Sequence, residues 1–386
     1  MLAGIGNSGC CNIKVFTMKL DKLVIAFATL AFTSVAFALD LRNSAEWPTT
    51  DFENSSVDHS EIMSGGPPKD GIPAIDNPVF IESSVASEWL KDKEPVIVLE
   101  MNGIARAYPL QILMWHEIVN DEIGDSAVSV TFCPLCNASI VFDRDLDGVR
   151  YDFGTTGRLR LSDMVMYDRQ TETWWQQFTG EGIIGELNGV KLKQIPSNIV
   201  AFESFKKQFP KGQVLSRETG FSRNYGRNPY AGYDDINSSP FLFRGKTDKR
   251  IKPMERVLSL NSNDKTLLFD LTSLNDKPVV NGEFEGTSYV VLAFENMNSA
   301  LDKSDISSSR LIPSAAVYDA VLDGKKLSFQ IDNGIVTDVE TGSEWNIFGI
   351  AEKGELAGSQ LQQLDHGVHF AFAWLAFDPE AEIFKH

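Results

Sequence analysis

The chain repeats itself, and this constrains its fold more than any other feature. EPVIVLEMNGIARAYPL begins at Glu94 and ERVLSLNSNDKTLLFDL begins at Glu255. At one constant offset Val96, Asn102, Tyr108, Leu110 and Asn120 meet Val257, Asn263, Phe269, Leu271 and Asn281. VFDRDLDG (141–148) then meets VYDAVLDG (317–324), and Asp168, Thr171, Trp175 and Phe178 meet Asp338, Thr341, Trp345 and Phe348. GELNGVKL (185–192) meets GELAGSQL (354–361), and AFESFKKQFP (201–210) resembles AFAWLAFDP (371–379). Matches in one order with small gaps predict an internal duplication.

Within each copy the periodicity is that of strands. PVIVLEM, ARAYPL, AVSVTF, SIVFD, VRYDF and MVMYD are short apolar or β-branched runs cut by Asn, Gly and Asp. LQILMWHEIV reads as a short helix. SNIVAFESFKKQF reads as a better one, with Ser197 as N-cap and Ile199, Phe202, Phe205 and Phe209 on one face. The expected fold class is therefore α+β and mainly β: two similar β-rich halves, each with one or two short helices. The first repeat spans 94–210 and the second, degenerate one 255–386. A polar, turn-rich arm occupies 39–93, and an Arg/Tyr/Gly-rich connector occupies 211–254.

Residues 1–38 read as a secretory signal, with Met18 as an alternative start. Lys19 and Lys22 form the positive segment, LVIAFATLAFTSVAFA the apolar one, and Ala36-Phe37-Ala38 the small-x-small cleavage site. Cleavage after Ala38 predicts a periplasmic or secreted protein with no stable membrane span. It removes Cys10 and Cys11 and leaves Cys133 and Cys136. A formal charge of −18 with pI near 4.7 argues against nucleic acid and anionic membranes as partners. A small molecule or a metal is the expected partner.

What the first copy carries alone is the candidate for chemistry. His116 aligns with Lys277, and FCPLCNA aligns with FENMNSA, so both thiols and the imidazole are absent from the second copy. The first copy also has extra residues around LRLSDMVMYDR. Cys133-Pro134-Leu135-Cys136 lies between VSVTF and SIVFD, so it reads as a tight turn between strands. A helix-opening redox pair would destroy the next strand. One such knuckle gives two sulfur ligands, short of a structural zinc set. Adding His116, Met164 and Met166, two apart on one strand face, gives a thiolate, imidazole and thioether set suited to copper. The competing chemistry uses Cys133 as nucleophile and His116 as base, with Glu117 or Asp168 as orienter, for acyl transfer. Thiol–disulfide exchange between Cys133 and Cys136, an inert local disulfide, and a non-catalytic binding scaffold are further alternatives. Arg223, Tyr225, Arg227, Tyr230 and Tyr233, with Arg217, can line a pocket for an anionic or carbohydrate ligand. His366 and His369 have the i, i+3 spacing of one helix face and so a capacity for metal.

GIPAIDNPVF, EPVIVLEMNGIARAYPL, WHEIVND, VTFCPLCNASIVFDR, SDMVMYDRQTETWW, VLSRETGFSRNYGRNPYAGYD and HFAFAWLAFDPE together resemble one family of exported bacterial and archaeal proteins. It is the domain of unknown function numbered three-one-seven-nine. The resemblance covers residues 70–380 and implies one long family domain containing both repeats. It implies no activity. It gives Cys133 more weight than Cys136, whose place Thr takes in some relatives.

Overall fold

The hairpin that opens the first half pairs Pro95–Met101 with Ile104–Pro109 in antiparallel register. Its two-residue loop, Asn102-Gly103, takes φ of 55° and 72°. Both values are left-handed, as required by the tight turn whose twist matches that of the strands. Val96, Val98 and Ala107 enter one apolar cluster, while Ile97, Leu99 and Tyr108 enter another. The sheet is thus buried on both faces, which explains its near-continuous apolar run. The computed structural model, which describes residues 45–263 and 265–385, is mostly β with four short α-helices among those residues. The expected signal, with Met18, Cys10 and Cys11, lies outside the described residues.

Three larger sheets build the first half, beside a two-stranded ribbon of Asp145–Leu146 and Val149–Arg150. One runs in the order 198–201, 95–101, 104–109, 213–215, 80–82, and a second in the order 194–195, 138–143, 126–133, 118–123. The third runs 62–64, 153–160, 163–168, 174–176, 181–184. The second half holds sheets of order 366–370, 256–262, 265–270, 382–383, then 279–284, 287–298, 311–319, then 329–332, 335–338, 344–345, 351–353.

Asp168 and Asp338 carry the same wiring in the two halves. Asp168 accepts from the Thr171 N–H at 2.6 Å, from Thr171 Oγ1 and from Trp175 Nε1 at 2.9 Å. Asp338 accepts from the Thr341 N–H at 2.6 Å, from Thr341 Oγ1 and from Trp345 Nε1 at 2.9 Å. Both carboxylates are fully buried. These residues shape turns, and Asp168 is committed to Trp175 and Thr171 rather than to orienting a base.

Two apolar clusters run across both halves, while others stay within one. Val96, Val98 and Phe202 share an apolar cluster with Val290, Tyr318 and Trp345, and Phe132 and Cys136 share one with Phe370 and Phe372. The described residues form one compact unit.

Two local expectations are corrected. The segment expected to be helical from Ser197 is a strand at Asn198–Ala201, and the helix covers only Phe202–Gln208 with no side-chain cap. The β-branched Ile199 and Val200 pair with Ile97 and Val96 instead, a tertiary pairing that outweighs helical periodicity. The turn-rich arm is also woven into the fold. Trp47 is buried edge-to-face against Tyr167 and Trp174, Ile62–Ser64 pairs with Arg158–Arg160, and Phe80–Glu82 pairs with Gln213–Leu215.

Candidate metal centre

The strand Ser126–Cys133 ends on the first thiol, and Ala138–Asp143 begins two residues after the second. Cys133 and Ala138 form the last rung of that pair. Pro134 and Asn137 close the turn through the Asn137 N–H at 3.2 Å, with Asn137 at φ 51°. The CPLC segment is therefore a turn between strands. Both cysteines are free thiols, 2% and 0% exposed, so the local disulfide weighed as an alternative is not formed.

A third group able to ligate a metal arrives from the next sheet. The strands Phe153–Arg160 and Asp163–Asp168 are joined by Leu161-Ser162, with φ of 53° and 70°. Such a two-residue turn normally carries Asn-Gly. A branched Leu in this region is a local strain of about 1–3 kcal/mol, of a kind concentrated at functional sites. Burial of Ser162, whose Oγ donates to the Phe241 carbonyl at 2.6 Å, holds the turn in place. The turn delivers Asp163 to the knuckle: the ligand atoms of Cys133, Cys136 and Asp163 all lie within 4.8 Å of one another. Asp163 Oδ2 accepts from Gln176 Nε2 at 2.7 Å and from the Phe178 N–H at 2.9 Å. Asp163 Oδ1 is buried with no hydrogen bond of ordinary geometry among the described residues.

Burial sets the electrostatics of the cluster. Burial pushes the Asp163 carboxyl up to about 7, against the hydrogen bonds from Gln176 and Phe178. Burial and the Asp163 charge push Glu117 up to about 8. Burial raises both thiols as well, Cys136 further through Cys133. Four acids in low dielectric hold protons that a metal ion would displace. Glu117, Leu135, Met164, Tyr230 and Arg158 line a cavity of about 80 Å³ beside the cluster. That volume holds several waters, given roughly 10–15 Å³ for one.

The residues expected to complete the site are placed as follows. His116 ends the helix Leu110–His116, and Glu117 then turns left-handed at φ 59°. The imidazole is buried, with Nδ1 2.7 Å from the Pro73 carbonyl and Nε2 2.7 Å from Tyr225 Oη. A carbonyl only accepts, so Nδ1 donates and Nε2 accepts from Tyr225. Both nitrogens are thus occupied, and His116 is not a member of the Cys133/Cys136/Asp163 cluster. The left-handed turn presents its neighbour Glu117 to that side instead. Met164 and Met166 lie on one strand, as expected, and are buried in the apolar cluster that contains both cysteines.

The Arg/Tyr set is divided. Tyr225 and Arg227 line one pocket, Tyr230 lines the cavity beside Glu117, Arg223 is exposed, and Tyr233 Oη donates to the Leu135 carbonyl at 3.0 Å. His366 and His369 lie on a strand, His366–Phe370, rather than on a helix. His369 is stacked on Trp374 and has neither ring nitrogen partnered.

The second half backs the knuckle. The Phe370 N–H donates to the Cys136 carbonyl at 2.9 Å, and Asn137 Nδ2 donates to the Val368 carbonyl at 3.0 Å. Arg256, paired with Asp234 at 2.9 Å, lies over Phe370.

A mostly β protein with a buried dithiol–carboxylate cluster able to hold a metal is the class that this geometry defines. Residues 69–381 match the family described as "Protein of unknown function (DUF3179)", and the chain belongs to that family. No curated protein and no solved structure matches it.

Proposed function

We propose that this protein binds one divalent metal ion through Cys133, Cys136 and Asp163. The observation that carries this is the convergence of the fully buried Asp163 carboxylate and two free buried thiols, with no hydrogen bond of ordinary geometry to Asp163 Oδ1 among the described residues. Buried polar atoms are normally satisfied, and a cation bonded to all three groups satisfies this one. The donor set is two sulfurs and a carboxylate oxygen, without the imidazole on which the expectation of copper rested. It suits a borderline ion such as zinc better than copper. Three protein ligands leave a fourth position for water or a small ligand. The nucleophile reading has less support, because His116 is committed to Pro73 and Tyr225 and burial disfavours the Cys133 thiolate.

Elemental analysis of reduced, zinc-loaded protein is the test. Near-stoichiometric zinc is expected in the wild type and a clear loss in Asp163→Asn, which keeps the side-chain volume. Wild-type protein that retains no zinc, copper or other transition metal after loading would sink the reading.

We further infer that the chain is exported with cleavage after Ala38, and that its two halves descend from one duplicated unit in which only the first kept the thiols. Charge and apolar patterning support the first inference, and the shared Asp–Thr–Trp wiring supports the second. N-terminal sequencing of secreted protein is expected to begin at Leu39. A mature protein that still carries Met18 removes the reading of export with cleavage after Ala38.

A further inference from the structure

On a chain of net charge −18, three cations converge on one pocket of about 230 Å³. Lys91, Arg217 and Arg227 line it, with Trp89 and Tyr225, and a basic concavity on an acidic surface concentrates anions.

Arg217 is built into place. Its guanidinium carbon lies 4.5 Å from the Trp89 ring centroid. Its Nε donates to Gln111 Oε1 at 3.0 Å, and Nη2 donates to the same oxygen and to the Tyr225 carbonyl. Gln111 is 1% exposed and donates from Nε2 to Glu94 Oε2 at 2.6 Å. Glu94 is 3% exposed, and its other oxygen accepts from the Lys91 N–H at 3.0 Å. Gly226 leaves room for this: at φ 89°, a Cβ there would lie 3.3 Å from Arg217 Nη2. His116 contributes by fixing Tyr225, whose backbone forms part of the wall.

Of the pocket's two acids, Glu94 has both oxygens in use and Asp305 Oδ1 accepts from the Ser307 N–H and Oγ, and three cations against two carboxylates leave the lining net positive. Arg217 Nη1 has no partner among the described residues, and neither the Lys91 nor the Arg227 head group has an ion pair there. A guanidinium held on two sides by a buried network, with its remaining edge free, is suited to an oxyanion.

We propose that this pocket binds a small organic oxyanion, a carboxylate or a phosphate monoester, whose negative head seats on Arg217 between Lys91 and Arg227. Isothermal titration of the full chain with inorganic phosphate and with glucuronate tests it. At least one probe binds the wild type. That binding weakens about 10-fold or more in Arg217→Gln, which loses the charge-assisted bonds, and also weakens in Arg227→Gln at the exposed rim. Zinc content stays unchanged in both variants, which separates this site from the metal centre. Phosphate alone binding assigns a phosphoryl head, and glucuronate alone a carboxylate. If neither probe binds at millimolar concentration, or both variants bind as the wild type does, the proposal is overturned.

Discussion

Cys133→Ser is expected to weaken zinc binding on the order of 100- to 1,000-fold while leaving the fold in place. The serine is close in size, so the packing among Phe132, Leu135 and Met164 survives. Zinc loses one of two thiolates, and structural zinc sites draw about 10–16 kcal/mol from their full ligand set. Removing one strong donor from a three-donor site therefore accounts for several kcal/mol. Cys136→Ser should match it, and Asp163→Asn should fall short of both, since a carboxylate contributes less than a thiolate to a soft-leaning ion. Competition with a chromophoric chelator reads the affinities directly. Unchanged zinc affinity in both cysteine variants excludes the knuckle as the site.

Asp338→Ala is expected to destabilise the protein by about 3–5 kcal/mol, as measured by denaturant unfolding. The carboxylate is fully buried and accepts from the Thr341 N–H, Thr341 Oγ1, the Ser343 N–H and Trp345 Nε1. Its removal strands the Thr341 N–H and Trp345 Nε1, at about 1–3 kcal/mol each, while the Ser343 N–H keeps Thr341 Oγ1. Burial acts to raise the Asp338 carboxyl, but the hydrogen bonds from Trp345 and Thr341 outweigh it and hold the group below its usual 3.8. A carboxyl that titrates lower in the folded state contributes stability above its unfolded value and loses it as pH falls through the folded value. The wild type should therefore weaken below pH 3.8 through this residue, whereas Asp338→Ala should lack that part of the acid transition. Equal wild-type and variant stability at pH 7 would falsify the role assigned to this turn.

The strands and the turn between the two thiols were legible because VSVTF and SIVFD are β-branched and leave no room for a helix. Asp163 was within the segment marked as extra in the first half, yet nothing singled it out from Asp168. Its approach to the knuckle is made by a Leu-Ser turn, which lacks the Asn-Gly signal of its class. His116 was placed near the thiols because it immediately precedes their hairpin. The left-handed Glu117 diverts it, and the Tyr225 that claims its Nε2 lies 109 residues away. Local pattern reported the elements; contacts made across sheets decided the ligands.

The bond from Asn137 to the Val368 carbonyl spans 231 residues. Long-range contacts of this kind form late, because the loop entropy must be overcome first. The knuckle hairpin can form early, but its rear wall arrives only when the final strand docks. A metal held at this cluster would thus mark completed assembly. A chain arrested before residue 366 would keep both thiols and Asp163 but lack the backbone donor that steadies the Cys136 carbonyl, and it would remain open to oxidation in the interval.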